Sequence, residues 1–427
     1  MHALASELFP ICRSITGAGL RQTLDILGRG LPLERHRVAS GTRVLDWTIP
    51  PEWNIREAWI RDPHGERVVD FAHHNLHVVN YSKPIRARMS LAALRPHLHT
   101  LPDRPHWIPY RTSYYEPTWG FCLEHARAER LSEGEYEVYI DATLADGHLD
   151  WAELALPGES TDEVLLSCHA CHPSLANDNL SSLAVASQLA SLLRRARRRF
   201  TYRFLFIPGT IGAIAWLAAN EARVGAIRHG LVLACLGDPG PFTWKRSRRG
   251  NSATDRAVEF ALRRSERKCE VRPFTPYGYD ERQFNSPGFD LPVGRLTRTP
   301  NGEYPEYHTS ADDLSLIRPD ALAESLDLLL RIVEVIEGDR TYTNTQPKGE
   351  PQLGRRGLYG ALGGLPDPGA RSLAMLWVLN LSDGRHSLLD IAERADLSFD
   401  LVRETAELLE THELLRREAP VARGPAC

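Results

Sequence analysis

The sequence predicts an α/β protein with a mixed, mostly parallel sheet that carries helices on both faces, together with a small inserted β-rich domain and a C-terminal winged-helix domain. Apolar runs alternate with helical patterns between residues 163 and 236, an order that favours a parallel or mixed sheet. Residues 44–125 combine frequent Trp, Tyr, Pro and His with short alternating runs, which are typical of strands. Residues 371–418 contain three compact helical patterns.

The α/β domain is predicted to comprise residues 1–43 and 126–345, and the inserted β-rich domain residues 44–125. Leucines at helical spacing predict helix within residues 1–30. Strands are predicted at 136–142, 150–156, 163–168, 202–207, 231–236 and 291–296. Helices are predicted at about 180–198, 211–223, 253–266 and 319–337.

The last predicted domain, residues 346–427, begins with a Gly- and Pro-rich linker and continues as a winged helix. Its second helix is predicted to begin near Ser387, and Ser398 is predicted to cap its third. The third helix would be the recognition helix, yet its charged residues are mostly acidic, and phosphates repel such a face. We therefore expect a structural or protein-interaction role for this domain, with a protein as its partner in the second case, rather than DNA binding.

The composition excludes several classes of protein. A net charge of −4 over 427 residues gives no general attraction to nucleic acid or to an anionic membrane. No uninterrupted apolar run reaches the roughly 18–20 residues that span a bilayer. The seven cysteines are odd in number and irregularly spaced, and the first residues lack the pattern of an export signal. We expect a cytoplasmic protein.

The most informative segment is 167–182, Ser-Cys-His-Ala-Cys-His-Pro-Ser-Leu-Ala-Asn-Asp-Asn-Leu-Ser-Ser, which follows a predicted buried strand and precedes a helix. His169, His172 and Asp178 thus lie where α/β sheets build their sites, and imidazole and carboxylate are good zinc ligands. Cys168 and Cys171 complete a C-x-x-C-H pattern, which also marks covalent haem attachment in exported proteins. The alternative to both is that the cysteines pack as small apolar residues, although Cys171 could reach a metal.

Two more segments place possible ligands after strands. Asp238 follows the predicted strand 231–236, and His308 precedes Asp312 by four residues, a spacing that lets the carboxylate orient the imidazole. Convergence of these groups on one edge of the sheet predicts a metal site with nitrogen and oxygen ligands. The H-E-x-x-H motif of another class of zinc peptidases is absent.

The sequences Asp178-Asn179-Leu180-Ser181 and His308-Thr309-Ser310-Ala311-Asp312, with His169, resemble the zinc aminopeptidase fold shared with glutaminyl cyclases. More closely, the chain resembles a bacterial family that joins an aminopeptidase-like domain, an inserted β domain and a C-terminal winged helix. Members of that family often accompany genes of polysaccharide or natural-product biosynthesis. The resemblance implies a zinc-dependent hydrolase that cuts an amide bond in a small, peptide-like substrate; cyclisation of an N-terminal residue is an alternative on the same fold.

The chain departs from that family at one position of the predicted site. The resemblance implies a glutamate base in a Pro-Glu-Thr-Ile-Gly sequence, whereas this chain has Gly209 in Pro208-Gly209-Thr210-Ile211-Gly212. The candidate substitutes are carboxylates in the segments that flank His308: Glu281, Glu303 and Glu306. The alternative is a catalytically altered or inactive protein that binds its ligand and recruits a partner through the winged helix.

Without a glutamate at 209, a second metal retains few ligands. We predict one tightly bound zinc held by His169 and Asp178 with Asp238 or His308, while His172 is an alternative or outer ligand and Asp312 orients His308. Two further groups of residues are predicted to bind substrate, one aromatic with an arginine and one basic: Tyr110, Arg111, Tyr114 and Tyr115, and Arg246. The alternatives are the core of the β-rich domain for the first group and a plain surface loop for the second.

Overall fold

The computed structural model describes residues 1–358 and 368–418 of the chain. The chain forms two compact units: the first contains residues 1–256 and 265–329, and the second contains 257–264 and the described residues from 330 onward. Part of the predicted linker, residues 359–367, and the last part of the predicted C-terminal domain, residues 419–427, lie outside the described residues.

The first unit contains the strands β1 (Glu34–Ala39), β2 (Arg43–Val44), β3 (Trp47–Thr48), β4 (Glu52–Arg61), β5 (Arg67–Asp70), β6 (Ile85–Ser90), β7 (Leu98–His99), β8 (Phe121–Cys122), β9 (Glu135–Ala145), β10 (His148–Leu156), β11 (Glu163–His169), β12 (Thr201–Ile207), β13 (Ile227–Leu233), β14 (Phe242–Lys245), β15 (Cys269–Arg272) and β16 (Val293–Thr297). Its helices are α1 (His2–Leu8), α2 (Ala18–Gly28), α3 (Leu91–Leu94), α4 (His125–Ala128), α5 (Ser182–Leu193), α6 (Ile211–Asn220) and α8 (Glu281–Phe284). Two helices contribute residues to both units: α7 (Ala253–Arg263) and α9 (Pro319–Gly338).

The main sheet has eight strands in the order β1-β10-β12-β11-β13-β16-β14-β15. Its centre is parallel, because β11 pairs in parallel with both β12 and β13, and β13 pairs in parallel with β16. Antiparallel pairs join β1 to β10, β10 to β12 and β14 to β16. Every residue of β11 is buried, as expected of a strand covered on both faces. The predicted mixed α/β architecture is confirmed.

The third strand of the predicted alternation begins and ends earlier than its apolar pattern suggests. The pattern predicts 231–236, whereas β13 covers Ile227–Leu233. The strand stops because Cys235 adopts a φ of 49°, which is incompatible with extended backbone. The predicted N-terminal helix is likewise divided into α1 and α2.

A second, fully antiparallel sheet has the order β5-β4-β9-β6. Side chains of β9 alternate, with Tyr136, Val138, Ile140 and Ala142 buried, as in a strand with one covered face. Strand β9 lies outside the predicted insert 44–125, so this sheet combines that segment with the residues that follow it. Sequence reasoning missed this pairing because β4 and β9 are far apart along the chain.

The second unit adds β17 (Thr341–Asn344), α10 (Pro368–Leu381), β18 (Asp383–Ser387), α11 (Leu388–Ala395), α12 (Phe399–Thr411) and β19 (Leu415–Arg417). Its sheet has the order β18-β17-β19. The Ser387 hydroxyl accepts from the Asp390 N–H and the Asp390 carboxylate accepts from the Ser387 N–H, a capping box that begins α11. Ser398 caps α12 by accepting from the Leu401 N–H. The winged-helix prediction is confirmed.

Within the described ranges, the structure has no helix that combines the length and apolar character needed to cross a membrane.

Candidate metal centre

The carboxylate of Asp178 lies at the centre of a group of three histidines. Its Oδ1 is 2.8 Å from His169 Nε2, and its Oδ2 is 3.0 Å from His308 Nε2. His172 Nε2 is 3.9 Å from the same Oδ2. His169, His172 and Asp178 each place one donor atom within 4.8 Å of the others. The structure therefore brings together four of the five predicted metal ligands. These four, called the Asp178 group below, are His169, His172, Asp178 and His308.

Each of these residues occupies a point where a regular element ends or begins. His169 is the last residue of β11, and Asp178 lies in an irregular turn, Ala176–Ser181, that leads into α5; its φ of −108° and ψ of 83° are not helical. His308 adopts a φ of 55° in the loop between β16 and α9. Other non-glycine residues with positive φ lie in neighbouring loops: Ser174, Thr210 and Cys235. Such conformations are costly and concentrate at functional sites.

The protonation states of this group suit a cation. Burial raises the pKa of Asp178, but His172, His169 and the hydrogen bonds from His169 and His308 outweigh it, so the pKa lies well below its usual value. Burial holds the pKa of His172 well below its usual value against the opposing effect of Asp178. An ionised carboxylate and a neutral imidazole are the forms that coordinate a metal. The donor set fits zinc.

Asp312 supports the loop that carries Asp178. Its Oδ1 accepts from the Asn177 N–H at 2.6 Å, and its Oδ2 accepts from the Asp178 N–H and the Tyr304 hydroxyl, each at 3.1 Å. The Asp312 carboxylate thus binds the loop that carries Asp178, and the partner of His308 Nε2 is Asp178. The structure therefore does not show the predicted contact between Asp312 and His308, because both oxygens of Asp312 accept hydrogen bonds from that loop and from Tyr304.

Asp238 also serves neighbouring loops. Its Oδ1 accepts from the Gly240 N–H at 2.8 Å and the Thr299 hydroxyl at 2.6 Å, and its Oδ2 accepts from the Asn177 amide at 3.1 Å. The structure does not bring Asp238 into the Asp178 group, so the prediction of Asp238 as a metal ligand is not supported by its contacts. The buried residue nearer the end of β13 is Cys235, whose N–H donates to Asn179 Oδ1 and whose Sγ is 3.8 Å from the Tyr304 hydroxyl.

Tyrosine rings surround the histidines. The ring of Tyr279 stacks on His169 at 4.5 Å, and the ring of Tyr307 stacks on His308 at 3.9 Å. The Tyr279 hydroxyl donates to the Tyr307 hydroxyl at 3.3 Å. His169 is 1% exposed, whereas the side chain of His308 is 32% exposed. The group is therefore open to solvent on the His308 side.

Of the residues predicted as an aromatic substrate site, some lie beside the Asp178 group and others lie at the surface. Tyr110 lies edge-on to His308 at 5.0 Å, and its hydroxyl is 3.2 Å from that of Tyr114. Tyr115 is exposed and contacts Trp47 at 5.4 Å between ring centroids, and Arg111 is exposed. Of the predicted aromatic residues, Tyr110 is therefore the one in contact with the Asp178 group.

Three further carboxylates and one arginine were predicted for the site, and each has its own contacts in the structure. Glu281 is fully buried and forms an ion pair with Lys245 Nζ at 2.8 Å. Glu306 is half-buried, and its carbonyl accepts from the Thr309 N–H. Glu303 forms an ion pair with Arg272. Arg246 follows β14, half-buried, with its N–H donating to the Arg272 carbonyl.

A carboxylate that sequence reasoning missed lies next to Gly209. Consecutive N–H groups, those of Gly209 and Thr210, donate to Cys171 Sγ at 3.3 Å and to Asp280 Oδ1 at 2.6 Å. Asp280 is 1% exposed, and its Oδ2 has no hydrogen-bond partner within the described residues. Burial raises its pKa to about 6, with His169 acting in the opposite direction. The adjacent acids at 280 and 281 were a signal, but sequence reasoning selected the second of them.

Residues 2–339 match the model of a domain of unknown function, DUF4910, and residues 340–417 match a winged helix-turn-helix. The chain belongs to the DUF4910 family. A relative from Clostridium acetobutylicum, named provisionally as a polysaccharide biosynthesis protein with aminopeptidase-like domain, is 47% identical over 416 residues, which are 97% of this chain and 96% of the relative.

Solved structures place the family among aminopeptidase-like folds. A crystal structure from Clostridium acetobutylicum, named provisionally as a peptidase, has a TM-score of 0.93 at 46% identity and covers 98% of this chain and 96% of that one. A zinc aminopeptidase from Bacillus subtilis has a TM-score of 0.58 at 13% identity, covering 78% of this chain and 94% of that one. The second similarity concerns the fold alone. The predicted aminopeptidase-like domain with a C-terminal winged helix is confirmed.

Proposed function

We propose that this chain is a zinc-dependent hydrolase of aminopeptidase type that cuts an amide bond in a small substrate. The observation that carries the proposal is the buried Asp178 carboxylate with three histidines around it. His169 and Asp178 are the principal ligands, and His308 and His172 complete the set. One zinc ion at this position would polarise a carbonyl group and lower the pKa of water towards neutrality.

Asp280 is the proposed general base, in place of the glutamate that is absent at position 209. Its Oδ1 is fixed by the Thr210 N–H, which leaves Oδ2 to accept a proton. A pKa of about 6 lets it be ionised at neutral pH and still return the proton to a leaving amine. Glu281 is not proposed for this role because its Oε1 forms ion pairs with Lys245 and Arg295, whereas Asp280 forms no ion pair among the described residues.

The surroundings of the histidines favour a small substrate. Tyr279 covers His169 and is joined to Tyr307, so approach to Asp178 is from the side of His308 and Tyr110. Burial holds the pKa of Tyr110 well above its usual value, so its hydroxyl remains a neutral donor for a substrate carbonyl. Tyr114, Tyr115, Arg111 and Arg246 are proposed as more distant contacts of the substrate.

The cellular setting is proposed from the relative and from the cysteines. The Clostridium acetobutylicum relative is named for polysaccharide biosynthesis, and we extend this setting, or natural-product biosynthesis, to the present chain. The described cysteines are all free: Cys12, Cys122, Cys168, Cys171, Cys235 and Cys269. Free thiols agree with a reducing cytoplasm.

The winged helix is proposed to bind a protein partner. Helix α12 carries Asp400, Glu404, Glu407 and Glu410 against Arg403, and the Arg403 guanidinium is paired with Asp400 and Glu407. Among the described residues of α12, Arg403 is the one cation and it is already paired, whereas unpaired cations are what neutralise phosphates.

A second candidate function is binding without turnover, with the winged helix recruiting a partner. Gly209 favours it, because a general base contributes about 10²–10⁴-fold to such a reaction and the usual position has no carboxylate. The two functions differ in whether Asp280 replaces the missing group.

The deciding experiment is a screen of aminoacyl and N-acyl amides with protein purified without a metal-affinity tag. Wild type is assayed as purified, after chelation and after addition of zinc, beside His169→Ala. We expect zinc-dependent release of amine that His169→Ala abolishes. Tight binding of an amide with no release, by zinc-loaded wild type, would replace the hydrolase with the binding protein.

A further inference from the structure

A second set of metal-binding side chains lies on the edge of the main sheet. Glu34 and His36 are on β1, and Glu153 is on β10. One donor atom from each lies within 4.8 Å of the other two. None of these residues belongs to the Asp178 group.

The imidazole of His36 is held with one nitrogen between the two carboxylates. Its Nε2 is 3.7 Å from Glu34 Oε1 and 3.7 Å from Glu153 Oε1, beyond hydrogen-bond reach of both. This nitrogen is buried and has no hydrogen-bond partner within the described residues. The ring stacks on Trp151 at 5.2 Å with an interplanar angle of 14°, which fixes its direction.

The spacing suits a cation between these atoms. Two bonds of about 2.1 Å that meet at a tetrahedral angle span about 3.4 Å, within a few tenths of an ångström of the observed 3.7 Å. The Glu34 side chain is 73% exposed and can adjust its position, whereas that of Glu153 is 6% exposed and fixed. Three protein ligands and one water complete a four-coordinate ion.

The register of the strands places like charges opposite each other. Glu34 is the direct cross-strand partner of Glu153, a pair that is destabilising without a counter-charge. The nearest guanidinium, Arg203, bonds Glu153 Oε1 at 2.8 Å but also donates twice to Glu163, at 2.7 Å each, and Arg223 lies 3.5 Å from the same Glu163. Two guanidinium charges therefore face the three carboxylates of Glu34, Glu153 and Glu163.

We infer that Glu34, His36 and Glu153 form a second metal site, for a divalent transition ion that accepts mixed nitrogen and oxygen ligands, such as Zn²⁺. Glu153 Oε1 keeps a lone pair for the ion beside its bond to Arg203, and Oε2 accepts from Trp216 Nε1 at 2.8 Å. The ion joins β1, the edge strand, to β10 and supplies the missing positive charge. The site is structural and does not depend on the proposed hydrolase.

The test uses the full chain, stripped with a chelator and then dialysed against Zn²⁺ alone. Elemental mass spectrometry is expected to find two zinc ions per chain in wild type and one in His36→Ala, with the melting temperature raised by zinc less in the variant. His64→Ala, which removes an exposed imidazole elsewhere, is the matched control and keeps both ions.

Glu34→Gln guards against a variant that fails to fold, because this side chain is exposed and its loss leaves the core intact. We expect it to lower zinc affinity at the second site by at least about tenfold. His169→Ala removes only the ion at Asp178, so failure of one site is distinguishable from failure of the other. Equal zinc content in wild type, His36→Ala and Glu34→Gln would overturn the inference, as would an equal loss in His64→Ala.

Discussion

Asp280 Oδ1 accepts a hydrogen bond from the Thr210 N–H at 2.6 Å, which places a buried carboxylate beside the residue that follows Gly209. The loop after β12 thus has a carboxylate supplied from another segment, although its own sequence carries none. This contact allows the proposed hydrolysis to retain a base.

Replacement of Asp280 by Asn tests that role directly. We expect Asp280→Asn to lower amide hydrolysis by about 10²–10⁴-fold with zinc content unchanged, because the amide cannot accept the proton. Glu281→Gln is the control, since it removes the neighbouring carboxylate and its ion pair with Lys245. An equal loss in both variants would indicate a structural role for the segment instead.

The pH profile provides an independent test of the same group. Burial raises the pKa of Asp280 to about 6, so its carboxylate is protonated and inactive as a base below that pH. Activity of wild type is expected to rise as pH increases through about 6 or somewhat below, because a bound cation favours ionisation. Asp280→Asn should lose this limb. A limb that persists in the variant assigns the titration to another residue.

Gly209→Glu tests whether the usual base position can be restored. A Cβ at 209 would lie 3.6 Å from Cys171 Sγ and 3.7 Å from His169 Cβ, which are ordinary contacts, so the variant should fold. We expect one more zinc ion per chain, because the new carboxylate reaches the Asp178 group, and no large gain in hydrolysis, because Asp280 already supplies the base. Gly209→Gln has the same shape without the charge and should not add the ion. A large gain in hydrolysis by Gly209→Glu alone would remove Asp280 from the role of base.

The zinc content of three histidine variants shows which histidines bind the metal. His169→Ala and His308→Ala are each expected to lose one zinc ion per chain relative to wild type, measured by elemental mass spectrometry. His172→Ala should weaken binding less, because its Nε2 is 3.9 Å from Asp178 Oδ2 whereas that of His308 is 3.0 Å away. Equal zinc in all four proteins would remove the metal from this centre.

Asp312→Ala should act through the ligand loop. The change leaves two buried N–H groups and the Tyr304 hydroxyl without their acceptor, so we expect a loss of about 1–3 kcal/mol in the free energy of unfolding. Zinc affinity should fall as well, because Asp178 is no longer held. Tyr304→Phe removes only the hydroxyl contact and should lose less of both. Urea denaturation and competitive chelation measure the two effects.

How far the sequence could predict the site depended on the range of the contacts. His169, His172 and Asp178 come from one segment that runs from the last residue of β11 to the start of α5, and their convergence followed from the strand–helix order. The choice between Asp280 and Glu281 did not, because the turn at α8 directs one acid to Thr210 and its neighbour to Lys245. Likewise, the end of β13 depended on the backbone of Cys235, which no apolar pattern reveals.

The sequence by itself determined the alternation of strands and helices, the apolar central strands, the start of a helix near Ser387, the cap at Ser398, and a histidine-rich segment at a strand end. These features follow from local physics: side-chain periodicity, capping and backbone preference. Only the tertiary structure decided that Asp178 joins His308, that Asp312 supports the ligand loop and that Glu34 faces Glu153 across the strands. Those pairings join segments far apart in the chain, and their geometry is fixed by packing and strand register.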